Sequence, residues 1–184
     1  MKRTTTLAVC TLLVAVTVNL PAQADQLRDG LIAFKRHDYK RAAALLRAPA
    51  EAGAPGAQAV LCYMHTYGRG LPQNYREAAG WCLRAANQGN SESQYMLGLL
   101  YNKGHGVPED FIEAYKWLNL AAVRASGPKR EFSYRIRDSV ASKMSPAQIT
   151  KAQTLAVEWR PVPELHGPDL MAGPCAADKK CRNP

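Results

Sequence analysis

Ser126-Gly127-Pro128-Lys129 has the S-x-x-K spacing in which a lysine can take the proton of a serine for acyl transfer. Gly104-His105-Gly106 sets a histidine between two glycines, a pattern that suits a phosphate cradle or a metal ligand. Neither motif brings the rest of its chemistry. S-D-N and K-T-G are absent, and Gly127 with Pro128 reads as a turn that keeps Ser126 and Lys129 off one helical face. With seven serines and ten lysines in the chain, a chance match is expected. A phosphate loop follows a strand, and Met96 to Asn102 shows no strand period. The histidines His37, His65, His105 and His166 are scattered, and no C-x-x-C occurs. The reading is therefore no catalytic residue, no metal site and no cofactor.

The cysteines carry the remaining covalent chemistry. Residues 1–24 read as a secretory signal: Lys2 and Arg3, an apolar run from Leu7 to Leu20 too short to span a membrane comfortably, then Ala22-Gln23-Ala24 as a cleavage pattern. Cleavage near Ala24 discards Cys10 and leaves Cys62, Cys82, Cys175 and Cys181 in a chain bound for an oxidising compartment, periplasmic or secreted. Cys175 and Cys181 could close a small loop. Cys62 and Cys82 fall at inward positions of facing helices, and two readings stay open: a bridge, or two buried small side chains at levels offset by about one turn.

The elements that position these residues repeat. A shift of 36 residues superposes Tyr39, Tyr75 and Phe111; Ala42, Ala78 and Ala114; Leu46, Cys82 and Leu118; and Ala50, Ala86 and Ala122. Gln58 falls on Gln94, and Gly68-Arg69-Gly70-Leu71-Pro72 falls on Gly104-His105-Gly106-Val107-Pro108. Both glycines and the proline recur, whereas His105 is replaced by Arg69, so the motif is a turn. Gly104 ends a helix in the left-handed region, Gly106 extends the turn and Pro108 stops the helix. Asp110 with Glu113, and Asn74 with Glu77, then read as caps of the next helix. Gly89 with Ser91 and Gln94 reads as a capping box as well.

Apolar residues at Phe111, Ala114, Tyr115, Leu118, Ala121 and Ala122 keep one helical face. Gly98 inside a helix costs about 1 kcal/mol against alanine. Close packing against Ala114 and Ala121, with Leu97, Tyr101 and Leu118 around them, supplies a reason. The expected architecture is an all-α solenoid of helical hairpins over residues 25–160. Its repeats are about 38–73 and 74–109, with a degenerate copy at 110–145 and a capping helix at 146–160 that starts at Ser145-Pro146. Asp25 to Arg36 reads as a lone half-repeat, and 161–184 as a Pro/Gly-rich flexible tail.

Tyr95, Leu97-Gly98, Tyr101, Gly104, Gly106-Val107, Asp110, Ala114, Trp117 and Ala121-Ala122 resemble the signature of the Sel-like (SLR) repeat family, a relative of tetratricopeptide repeats, here as a secreted bacterial member. Where the second copy has Tyr95 and Gly98, the first has Ala59 and Cys62, and His65 departs from the signature as well. The resemblance implies a right-handed α-α superhelix and adaptor or regulatory work. It also implies an alternative, since some cysteine-rich relatives are described as binding or hydrolysing β-lactams or cell-wall substrates.

Solenoids of this kind present a partner surface on the first helix of each pair. In the 36-residue register that surface should include Tyr63, Tyr67, Tyr95, Leu99, Asn102, Lys103 and Arg135. Tyrosines there suit recognition, and they suit helix-interface packing equally. The chain carries a formal net charge of +9, with Arg124, Lys129, Arg130, Arg135, Arg137 and Lys143 clustered in one hairpin. Export argues against nucleic acid, so the expected partner is a protein or peptide, acidic in preference, bound by a monomer that does not span the membrane.

Overall fold

The computed structural model describes residues 20–164, with side chains from Ala24 onward. Residues 1–19, which hold most of the expected signal, and 165–184, which hold Cys175, Cys181 and His166, lie outside the described residues. The described residues form eight helices and no strand: α1 Leu20–Lys35, α2 Tyr39–Glu51, α3 Pro55–Tyr67, α4 Tyr75–Asn87, α5 Ser91–Lys103, α6 Phe111–Arg124, α7 Gly127–Ala141 and α8 Pro146–Glu158. None of them is long and apolar enough to cross a membrane. Neighbours in sequence pack on one another, most extensively within α1–α2, α3–α4 and α5–α6. The result is a solenoid of helical hairpins.

One contact organises all three hairpins. A Cβ on Gly30 would stand 2.6 Å from Leu46 Cγ, and one on Gly98 would stand 2.7 Å from Leu118 Cγ and 3.1 Å from the Ala114 carbonyl oxygen. The middle hairpin places Cys62 and Cys82 at the same level, with Cα atoms 5.0 Å apart and their sulfurs bonded. The absence of a side chain on the glycine lets the leucine of the facing helix reach the backbone, which offsets the low helix propensity of glycine. Helix α1 is thus the first half of a hairpin with α2, not a lone half-repeat. The connection α1–α2 is short and uses His37 at φ 62 where longer turns use glycine.

Those longer turns explain the recurrent G-x-G. Gly68 and Gly104 end α3 and α5 in the left-handed region, at φ 64 and φ 65. The second glycine does more than lengthen the turn. A Cβ on Gly70 would meet Tyr39 backbone atoms, and one on Gly106 would overlap the Tyr75 carbonyl oxygen. Each turn therefore rests on the first residue of the even helix of the preceding hairpin. His105 stacks on the Tyr75 ring at 4.4 Å.

Capping follows the expected residues with altered partners. Asn74 and Asp110 accept from the backbone N–H groups two and three residues on, at 2.8 to 3.2 Å. The Glu113 carboxylate does not return to the cap; it accepts from Lys116 Nζ at 2.6 Å and Trp117 Nε1 at 2.9 Å. The cap of α5 is Asn90, which accepts from Ser93 N at 2.9 Å. Gln94 is instead buried and donates to the Ala86 carbonyl at 3.2 Å, as Gln58 donates to Ala50 at 3.0 Å. These two glutamines satisfy carbonyls near the ends of α4 and α2 from the next helix, a junction that a capping-box reading conceals. At Ser145 and Gln148 a full capping box is present.

The core forms three clusters along the stack, bridged by the partly buried Trp81 and Tyr101, with Leu46, Met64, Leu97 and Leu118 fully buried. Helix α7 packs on α6, and so does α8, which closes the end of the stack through Ala152 and Ala156. The four described residues of the expected tail, Pro161 to Glu164, run back over α4. Val162 N donates to the Asn87 carbonyl at 2.8 Å.

Candidate functional site

The odd-numbered helices share one side of the solenoid. Phe34 of α1, Val60 and Tyr63 of α3, Tyr95 and Met96 of α5 and Phe132 of α7 border an open groove of about 700 Å³. Four helices that are not sequence neighbours contribute because each hairpin presents its first helix to the same side.

Aromatic rings meet in two groups along this groove. Phe34 meets Tyr63 edge-on at 5.4 Å, Tyr63 meets Tyr67 at 4.7 Å, and Tyr95 meets Phe132 at 5.8 Å. The Tyr67 hydroxyl points at Met96 Sδ, 3.8 Å away. Burial raises the pKa of Tyr67 and Tyr95. Tyr63 and Tyr75 beside the first, and Tyr67 beside the second, push in the same direction. The phenols therefore stay neutral donors well into alkaline pH. Charge sits at the rim, where Lys129 pairs with Glu92, Lys35 stands at the α1 end, and Arg135 lies over the Phe132 ring at 5.1 Å.

Of the residues expected on this surface, Tyr63 and Tyr95 line the groove, and Tyr67 adjoins it through Tyr63 and Met96. Leu99, Asn102, Lys103 and Arg135 lie outside the lining. The groove follows the first turns of α5 and α7, so later turns of α5 leave it, and Asn102 is held by Lys143 Nζ at 3.1 Å. Phe34, Val60, Met96 and Phe132 were not singled out from sequence. Phe34 carried a signal as part of the apolar face of α1, and Phe132 was hidden in a segment read for its charge.

The S-x-x-K segment is placed differently from expectation. Helix α7 already begins at Gly127, with φ 56, so Ser126 is its N-cap and Pro128 lies in its first turn; the segment is not a turn between helices. Ser126 makes no side-chain cap bond, and Lys129 reaches across to Glu92 on α5 with 73% of its side chain exposed. Serine and lysine are not engaged with each other. Among the described residues no group of three His, Cys, Asp or Glu side chains converges as a metal site would require. His37 stacks on Tyr39 at 5.7 Å, and His65 has a buried Nδ1 without a partner.

The basic cluster is largely engaged within the chain. Arg137 donates to Asp138 and Asn119, Arg130 to the Ala125 carbonyl and Lys143 to Asn102, while Arg124 lies over the Trp159 ring at 4.5 Å. Of the two possible disulfides, Cys62–Cys82 is formed, and Cys175–Cys181 lies outside the described residues.

Comparison with known proteins agrees with this architecture. The Sel1 repeat matches residues 55–90 and 91–122, so repeats begin at α3 and α5, one helix out of phase with boundaries at 38 and 74. A period of 36 leaves that phase open. Similar solved structures include two Sel1-type proteins. One is a protective antigen present in uropathogenic Escherichia coli strains, displaying an SLR fold, at 28% identity and a TM-score of 0.67 over 74% of this chain and 29% of that one. The other is a Sel1 repeat protein from Oxalobacter formigenes, at 29% identity and a TM-score of 0.57 over 74% of this chain and 55% of that one. The chain thus spans less than two thirds of either neighbour. No curated protein matches. Sel1 repeats generally mediate protein–protein interaction and are typically not catalytic. With two matched repeats, one shared contact level in three successive hairpins and neighbours built the same way, this chain carries Sel1 repeats.

Proposed function

We propose that the chain is an exported scaffold that holds a protein or peptide partner in the cell envelope through its concave groove, in an adaptor or regulatory role, and catalyses no reaction. The observation that carries this reading is that Phe34, Tyr63, Tyr95 and Phe132, from four helices, line one open groove of about 700 Å³, paired as Phe34 with Tyr63 and Tyr95 with Phe132. Rigid rings give a large contact area at low entropic cost, and neutral phenols add hydrogen bonds without a charge to desolvate. The signal-like N-terminus and the Cys62–Cys82 bond support an oxidising compartment after export. The net charge of +9, with Lys35 and Arg135 at the rim, favours an acidic partner of the monomer.

The test is a photo-crosslinking residue at Val60 in the full chain, expressed with its own N-terminus and activated in intact cells. A discrete adduct that disappears when Tyr95→Ala and Phe132→Ala are combined is expected. Adducts unchanged by the double substitution would place recognition elsewhere. Nitrocefin turnover that is lost on Ser126→Ala would replace the scaffold reading with a hydrolase.

A further inference from the structure

The Glu164 carboxylate is seated in a socket at the junction of the first two hairpins, although it arrives from the far end of the chain. Only 6% of its side chain is exposed. Arg84 Nε donates to Oε1 at 2.6 Å and Gln58 Nε2 donates to Oε2, while Gln88 Nε2 stands 3.3 Å from Oε2. The donors are also held by groups other than the carboxylate. Gln58 is itself fully buried and also bonds the Ala50 carbonyl. Gln88 bridges the Gly53 carbonyl and Gln58 Oε1, each at 2.9 Å. The Arg84 guanidinium lies over the Trp81 ring at 4.5 Å and donates to the carbonyls of Ala50 and Glu51. A fork fixed by a ring on one side and carbonyls on another is a preorganised carboxylate receptor.

The segment that brings Glu164 behaves as a bound peptide. Trp159 packs edge-on against Trp117 at 6.2 Å under Arg124, and the Val162 amide pairs with the Asn87 carbonyl. Between these anchors Pro161 and Pro163 hold the backbone extended, while Val162 is 62% exposed. An aromatic anchor, a main-chain bond and a seated carboxylate, spaced by prolines, is the pattern of extended-peptide recognition. None of Gln58, Arg84 and Gln88 lines the concave groove.

We infer that Gln58, Arg84 and Gln88 form a second recognition site, for the carboxylate of an extended, proline-containing acidic segment, and that Glu164 fills it in cis as a built-in competitor. A partner segment with a glutamate in that position gains the site when the strap of residues 160–164 lifts. Because the strap is tethered, its effective concentration is high, and a free peptide competes poorly with it in the unaltered chain.

The experiment uses the full chain and a fluorescein-labelled synthetic peptide of residues 160–168, with fluorescence anisotropy as the readout. The triple variant Pro161→Gly, Pro163→Gly, Glu164→Ala loses both the preorganisation and the anchor of the strap. It should bind the peptide at least tenfold more tightly than the unaltered chain, and adding Arg84→Ala should abolish that binding. A peptide with glutamine in place of Glu164 should bind at least tenfold more weakly. Equal affinity for the unaltered chain and the triple variant, or binding that survives Arg84→Ala, overturns the inference. Should the triple variant fail to fold, Glu164→Gln alone serves. Its Val162 amide should exchange with deuterium at least tenfold faster than in the unaltered chain, and an unchanged rate refutes the site.

Discussion

Cys62 and Cys82 are bonded at the two positions that Gly98 and Leu118 occupy 36 residues later. A glycine facing a leucine and a cysteine facing a cysteine fill the same gap between two helices, once by packing and once by a covalent link. Closing a loop across a sequence separation of 20 is worth about 3 kcal/mol in the chain-entropy account, so Cys62→Ser with Cys82→Ser should lower stability by roughly that amount. Cys62→Gly with Cys82→Leu rebuilds the packing of the next hairpin. It should recover part of the loss, less about 1 kcal/mol for a glycine in α3, and unfold in urea identically with and without reductant. A double variant no more stable than the serine pair would show that the two gaps differ in shape.

Gly98→Ala tests the contact from the other side. Helix propensity alone favours alanine by about 1 kcal/mol. The added Cβ meets Leu118 Cγ at 2.7 Å and a backbone carbonyl at 3.1 Å, and overpacking of this kind costs about 1–3 kcal/mol. The substitution should therefore destabilise the chain in urea unfolding, whereas Gly80→Ala on α4, with open space at its Cβ, should stabilise it.

The two glycines of one turn should respond unequally. Gly104 and Gly106 both have positive φ, at 65 and 75, so alanine at either carries backbone strain of about 1 kcal/mol. At Gly104 the new Cβ finds ordinary contacts with Glu109 at 3.5 Å, but at Gly106 it overlaps the Tyr75 carbonyl, which cannot rotate away. Thermal melts should show Gly106→Ala losing clearly more than Gly104→Ala. Equal losses would mean that the turn does not rest on α4.

Alkaline pH should weaken the fold through the tyrosines. Burial raises the pKa of Tyr67, Tyr95 and Tyr101 above 10.0; neighbouring tyrosines add to this for Tyr67 and Tyr95, and Glu113 and Asp110 add to it for Tyr101. The folded chain thus holds these protons more tightly than the unfolded chain. Their stabilising contribution is complete below pH 10 and is lost as pH rises through the folded values. Absorbance at 295 nm should show a tyrosinate component displaced upward from the free phenol, and Tyr67→Phe with Tyr95→Phe should remove part of it.

Much of the architecture is legible in the sequence because its causes are local or repeat every 36 residues. The hairpins, the left-handed glycines at positions 68 and 104, the caps at Asn74 and Asp110, and the need for a close neighbour at Gly98 follow from periodicity and from the few residues that tolerate such turns. Tertiary structure alone decides three further matters. The phase of the repeat depends on which helices pack most closely, and a period does not encode it. Membership of the groove depends on how each hairpin is rotated on the last, so Phe34 and Phe132 line it while Leu99, Asn102, Lys103 and Arg135 do not. The seat of Glu164 on Gln58 and Arg84 joins residues 106 and 80 positions apart, and only the folded stack brings such distant side chains to one buried junction.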